Sequence, residues 1–117
     1  MTLVSPSLHA GPFRVQVSGS LSTRTVAVSG EVDTVTAPAL RAAVDSAAAQ
    51  DGVDELVVDL RAVTFLDSAG ICALAAGHGP AAAAGTRVRL LCSPGSVVRV
   101  LQLTGLWEAL DAELVES

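Results

Sequence analysis

The sequence contains no lysine; its seven cationic residues are all arginine. Every chemistry that needs a lysine is thereby excluded: a P-loop phosphate contact, a Schiff base, a pyridoxal phosphate anchor. Basic charge is scarce altogether. Twelve Asp and Glu outnumber the arginines and leave a net charge of -5, whereas a dedicated nucleic-acid binder shows a basic face. Cysteine is limited to Cys72 and Cys92, too few for a secreted disulfide scaffold and not spaced as C-x-x-C. Both are expected to be buried free thiols in a reducing compartment, which points to the cytoplasm. Met1 to Pro12 lacks the basic and apolar regions of a signal peptide. Ser68 to Thr86 carries no charge over nineteen residues, close to the length of a spanning helix of about 20. That stretch is mostly Ala and Gly, is interrupted by His78, Gly79 and Pro80, and holds only Ile71 and Leu74 as large aliphatics, so no membrane partner is expected. His9 and His78 have no Cys or carboxylate cluster at ligand spacing. The sequence therefore predicts no metal and no cofactor, and both histidines are expected to be solvated.

Half of the residues are hydrophobic and only 16% are charged, which excludes intrinsic disorder. At 117 residues the chain fits one domain, able to bury roughly two thirds of its unfolded surface without a disulfide or metal staple. Residues 1–12 read as a loosely held tail and 13–117 as the domain. Phe13 to Ser18 alternates strictly and predicts a half-exposed strand, paired as a hairpin with a second strand over Thr25 to Ser29. Gly30 to Thr34 is expected to break that strand. Thr36 and Pro38 then open a helix with Leu40, Ala43, Val44 and Ala47 on one stripe. Glu55 to Leu60 is apolar on both parities, which predicts a strand covered on both faces. A helix follows Asp67-Ser68-Ala69-Gly70, with Ile71, Leu74 and Ala75 in phase and a kink or interruption expected at Pro80. Arg87 to Cys92 is a further strand. Ser93-Pro94 opens a third helix, with Val97, Val100, Leu101 and Thr104 in phase, closed by Gly105 as a left-handed cap. Ala112 to Val115 is a short edge strand. Alternating strands and helices predict an α/β domain with a small mixed sheet of 4–5 strands and right-handed crossovers.

Gly77-His-Gly-Pro-Ala-Ala82 nominally matches a dinucleotide fingerprint, but such a motif must follow a strand and open a helix. The informative place is Asp67-Ser68-Ala69-Gly70, where a strand turns into a helix. One reading of Ser68 is a plain helix cap. A second is a serine nucleophile. It lacks partners: Leu66 stands where a nucleophile elbow has its first Gly, and His78 lies ten residues along the same helix, about 15 Å of rise away. A third is a phosphorylation switch: a helix N-terminus tolerates added negative charge, whereas a partner surface fitted to a neutral hydroxyl does not.

These segments together resemble the STAS domain of bacterial anti-sigma factor antagonists, from about Phe13 to Val115. The resemblance is carried by Gly30-Glu31-Val32-Asp33, Ala37-Pro38-Ala39-Leu40-Arg41, Val57-Val58-Asp59-Leu60, Phe65-Leu66-Asp67-Ser68-Ala69-Gly70, Ser93-Pro94 and Leu103-Thr104-Gly105-Leu106. It implies a non-catalytic protein that, unphosphorylated, binds an anti-sigma factor serine kinase and so releases a sigma factor. Phosphorylation, matched here to Ser68, switches it off, and a phosphoserine phosphatase restores it. The implied partner-binding surface is Glu31, Asp33, Thr34, Asp67, Ser68, Ala69 and Gly70. Asp33 has a second reading, a turn Asp at the start of the first helix. Relatives carry charge along the outer face of the second helix; here Ala75 to Ala84 is nearly all Ala and Gly, an apolar surface expected to support weak self-association. A different class of role is also carried: a scaffold subunit of a larger stress-signalling assembly.

Overall fold

The computed structural model describes residues 12–115, so the expected tail lies, apart from Pro12, outside the described residues. A five-stranded sheet runs in the order β1-β2-β3-β4-β5. β1 (Arg14–Gly19) is antiparallel to β2 (Thr23–Val32); β3 (Glu55–Leu66), β4 (Arg87–Cys92) and β5 (Ala112–Leu114) are all parallel to β2. Helices α1 (Ala37–Ala48), α2 (Ser68–Ala83) and α3 (Ser96–Leu103), with the single turn α4 (Leu106–Ala109), occupy the connections. The alternation of strands and helices read from the sequence is thus realised as a mixed sheet with an antiparallel hairpin at one edge.

One hydrophobic cluster joins the helices to the sheet. Val26, Val28, Val32, Leu56, Val58, Leu60, Val88, Leu90 and Cys92 supply its floor, and Leu40, Val44, Leu74, Val97 and Leu101 its roof. The strand residues in it are mainly of one parity, the α1 residues lie at i, i+4 and i+7, and these are the periods each element needs to bury one side. The alternate residues point the other way. Val57 belongs to that second face and lies outside the cluster, and no described helix packs there. The expectation that β3 is covered on both faces is therefore corrected. Val57 is only 7% exposed because it is flanked in register by Thr25 and Arg89, not because a helix lies over it. On the same open face Arg89 bonds Glu113 at 2.7 and 2.9 Å and Glu55 at 3.4 Å, crossing three strands.

Three further expectations change. β2 does not break at Gly30 but continues to Val32, with register shifts at Ala27/Ser29 and Gly30/Glu31. Gly30 has φ +88, and a Cβ there would sit 2.7 Å from the Pro12 carbonyl oxygen, so the glycine marks a bulge and not an end. α2 runs through Pro80 to Ala83. The proline lies in the last turn on the exposed side, and Ala84 N still reaches Pro80 O at 3.0 Å, so the missing N–H removes one bond without ending the helix. α3 starts at Ser96, with Gly95 at its N-cap, and not at Ser93-Pro94. Gly105 closes α3 in the left-handed conformation as expected, and the chain then makes the short α4, too brief for periodicity to reveal.

The glycines and alanines of α2 have a packing cause. A Cβ at Gly77 would lie 2.6 Å from Val44 Cγ1, so α2 rests on α1 with backbone against side chain. No helix among the described residues is long and apolar enough to cross a membrane. Of the two thiols, Cys92 is fully buried, and Cys72, expected buried, is exposed because it lies one turn beyond Ser68 on the outward face of α2. Burial, with the charge of Asp59 adding to it, pushes the Cys92 thiol up to about 11. Iodoacetamide at pH 8 is accordingly expected to alkylate Cys72 alone in the folded protein and both thiols after denaturation; intact-mass measurement of one adduct, then two, checks it.

Candidate functional site

Parallel pairing brings two turns together. β2 and β3 end side by side with Val32 opposite Leu66, and Asp67 N donates to Val32 O at 3.2 Å, carrying the pairing one residue past the strands. From this edge the chain enters α1 after Asp33-Thr34-Val35-Thr36 and α2 directly at Ser68.

The first turn is closed by its own side chains. Asp33 Oδ1 accepts from Val35 N at 2.9 Å and Thr36 N at 3.1 Å. Thr36 Oγ1 accepts from Asp33 N at 2.9 Å and donates to Glu31 O at 2.9 Å. The Thr36 amide, with smaller help from the Val35 amide and the Thr36 hydroxyl, outweighs desolvation and holds the Asp33 carboxyl below its ordinary range. Asp33 thus fixes the turn, while the N-cap position itself belongs to Thr36, which makes no side-chain cap bond. Thr36 stands at the helix start as expected and in addition closes the turn with its side chain, a role signalled by the Asp-x-x-Thr spacing.

In the second turn the capping reading of Ser68 is overturned. Asp67 is the N-cap: its Oδ1 accepts from Ala69 N at 2.9 Å and Gly70 N at 3.1 Å. Ser68 is the first helical residue and exposed. Its hydroxyl makes none of the side-chain bonds found among the described residues. Gly70 is buried; a Cβ there would lie 2.4 Å from Leu66 Cδ1 and 2.8 Å from Val32 Cγ1, so the helix can start this close to the sheet only with glycine at that position. Two helix N–H groups that a bound anion would use are already taken by Asp67. A phosphate on Ser68 would therefore stand in solvent beside a carboxylate.

The structure brings Glu31, Asp33, Thr34, Asp67, Ser68, Ala69 and Gly70 to one end of the sheet. Glu31 sits opposite Phe65 in register, and Thr34 shares with Ala69 a shallow apolar groove between α1 and α2 that also includes Pro38, Cys72, Ala73 and Ala76. His78 is not solvated as expected: its side chain is only 12% exposed and its Nε2 lies 2.8 Å from Asp111 Oδ2. That pair ties α2 to the start of β5 and leaves His78 unable to serve Ser68. His9 lies outside the described residues. The Gly77–Ala82 motif is internal to α2, the wrong context for a dinucleotide. No group of three His, Cys, Asp or Glu suited to a metal ion occurs among the described residues.

Comparison with known proteins bears on the family and the fold. The sequence model of the STAS domain matches residues 14–115. An anti-sigma factor antagonist from Mycobacterium paratuberculosis is 34% identical, with a TM-score of 0.75 over 91% of this chain and 87% of that one. The anti-sigma factor antagonist SpoIIAA in its unphosphorylated form is 22% identical, with a TM-score of 0.73 over 91% of this chain and 90% of that one. The Bacillus cell fate determinant SpoIIAA in the phosphorylated form is 21% identical, with a TM-score of 0.66 over 91% and 93%. The SpoIIAA likeness shows the shared fold.

Two stability outcomes follow from the turns. Asp67→Ala removes the α2 cap and is expected to cost about 1 kcal/mol in urea denaturation, with Asp67→Ser recovering most of it. Asp33 has a folded pKa below its unfolded one. Its contribution is therefore present above the unfolded value, near 3.8, and lost as pH falls through the folded value. Asp33→Asn, which does not titrate, should lose less stability than wild type between neutral pH and pH 2; denaturation curves across that range give the comparison.

Proposed function

The chain belongs to the STAS domain family, and from that premise we propose that it is an anti-sigma factor antagonist switched by phosphorylation of Ser68. The chain has the fold of such antagonists, and one observation carries the finer reading. The Ser68 hydroxyl is exposed at the first position of α2, on an edge whose two turns are held rigid by Asp33, Thr36 and Asp67. Such an edge presents the hydroxyl to a partner in a fixed pose and leaves it open to a kinase.

In the unphosphorylated state this edge binds an anti-sigma factor serine kinase, with Glu31, Asp33, Thr34, Asp67, Ser68, Ala69 and Gly70 at the contact, and the sigma factor is released. The kinase moves the γ-phosphoryl of its ATP to Ser68 Oγ, which gives up its proton, and ADP leaves. The ester adds about -1.5 to -2 charges. Asp67 already fills the N–H groups of Ala69 and Gly70, so the protein offers the phosphate little internal neutralisation. The charge therefore falls on the partner surface. Weakening binding by about a hundredfold needs only about 2.7 kcal/mol, which one like-charge or desolvation clash at a contact supplies. A phosphoserine phosphatase hydrolyses the ester and restores the binding form. Ser68 is in this reading a substrate group and no catalyst.

Pull-down with Ser68→Ala as bait should retain a serine kinase persistently, and Ser68→Asp should bind it at least about tenfold more weakly than wild type. Phosphate transferred from labelled ATP should reach wild type and not Ser68→Ala. Label on the Ala variant, or equal affinity of the Asp variant and wild type, would overturn the assignment.

A further inference from the structure

Six large hydrophobic side chains are exposed among the described residues: Val17, Leu21, Val35, Phe65, Leu103 and Leu114. Isolated apolar residues on a surface are ordinary. Four of these lie on the β1 edge, in the β1–β2 turn, at the end of α3 and on β5. The other two, Val35 and Phe65, lie on the edge that carries Ser68. Val35 is 85% exposed at the tip of the first turn, and Phe65 is 47% exposed two residues before Asp67. Neither belongs to the core cluster or is packed against it. Their neighbours Val32, Val63 and Leu66 are buried, so the core is complete at this edge without them.

Both are also held in place before anything covers them. The Val35 amide donates to Asp33 Oδ1 at 2.9 Å, inside the turn locked by Thr36. Phe65 is fixed by strand pairing opposite Glu31. An apolar side chain whose backbone is already rigid loses little freedom when a partner covers it. Pre-positioned apolar side chains beside a polar centre offer area that a partner gains by covering.

We propose that Val35 and Phe65 are the apolar anchors by which the anti-sigma factor serine kinase grips this edge, its surface offering an apolar socket on either side of the site that receives Ser68. The inference rests on the switch reading of Ser68 and divides binding into two parts. Val35 and Phe65 supply a grip insensitive to salt, and the Ser68 phosphate supplies the veto.

The kinase retained by the Ser68→Ala bait, once purified, is titrated by calorimetry against wild type, Val35→Ser, Phe65→Thr and Ser68→Asp. Leu21→Ser and Leu103→Ser, which remove side chains about as exposed as Val35 and more exposed than Phe65, serve as controls. Thr keeps the strand preference of β3, and circular dichroism with thermal melting verifies that each variant is folded. Val35→Ser and Phe65→Thr are each expected to weaken binding about tenfold or more, with the controls within about twofold of wild type. Wild-type affinity of both site variants beside poor binding of Ser68→Asp overturns the anchors and leaves the switch standing. Equal losses in the controls also overturn the anchors. A bait that retains no kinase, or Ser68→Asp binding as wild type, removes the switch and the anchors with it.

Discussion

The parallel pairing of β2 with β3 decides what the rest of the molecule can present. It runs the length of both strands and is prolonged by the Asp67–Val32 backbone bond, so the two chain reversals that leave the sheet are neighbours by construction. Everything of functional interest then follows from what each reversal contains. One holds an Asp and a Thr that satisfy each other's backbone groups; the other holds an Asp that satisfies a helix end. Because the polar groups of both turns are bound internally, the side chains left over, Ser68, Val35 and Phe65 among them, face outward without competing local bonds.

The division of labour between Asp67 and Ser68 is the sharpest case. Adjacent residues compete for the same helix N–H groups, and the carboxylate, being the stronger acceptor, has them. The serine is thereby released from a structural role and its hydroxyl left available. A chain with Ser at the cap and a neutral residue before it would make the hydroxyl part of the fold, so that modifying it would disturb the helix. Here a change at Ser68 is a change of surface.

Much of this was legible in the residues. Strict alternation in Phe13 to Ser18, the Leu40–Val44–Ala47 stripe and the order of Glu-Val-Asp and Asp-Ser-Ala-Gly elements lead to the strands, to α1 and to the family. What was misread has specific causes. Gly30 looks like a terminator locally, but the bulge it permits depends on the backbone of Pro12, which is distant in sequence. Val57 is apolar on the open face, and its shielding comes from the strands on either side, which periodicity within β3 cannot express. His78 meets Asp111, 33 residues away. The cap reading weighed for Ser68 belongs to Asp67, one residue away, which is about the resolution at which helix ends can be placed at all.

Gly77 lets the helix that begins with Ser68 approach α1 more closely than any side chain there would allow. At that point the α2 backbone rests against the Val44 side chain with no space for a Cβ, so the approach of the two helices is governed by shape and not by charge. Shape does not change with ionic strength or acidity. Whatever meets Ser68 varies with its surroundings; the seat of the helix beneath it does not.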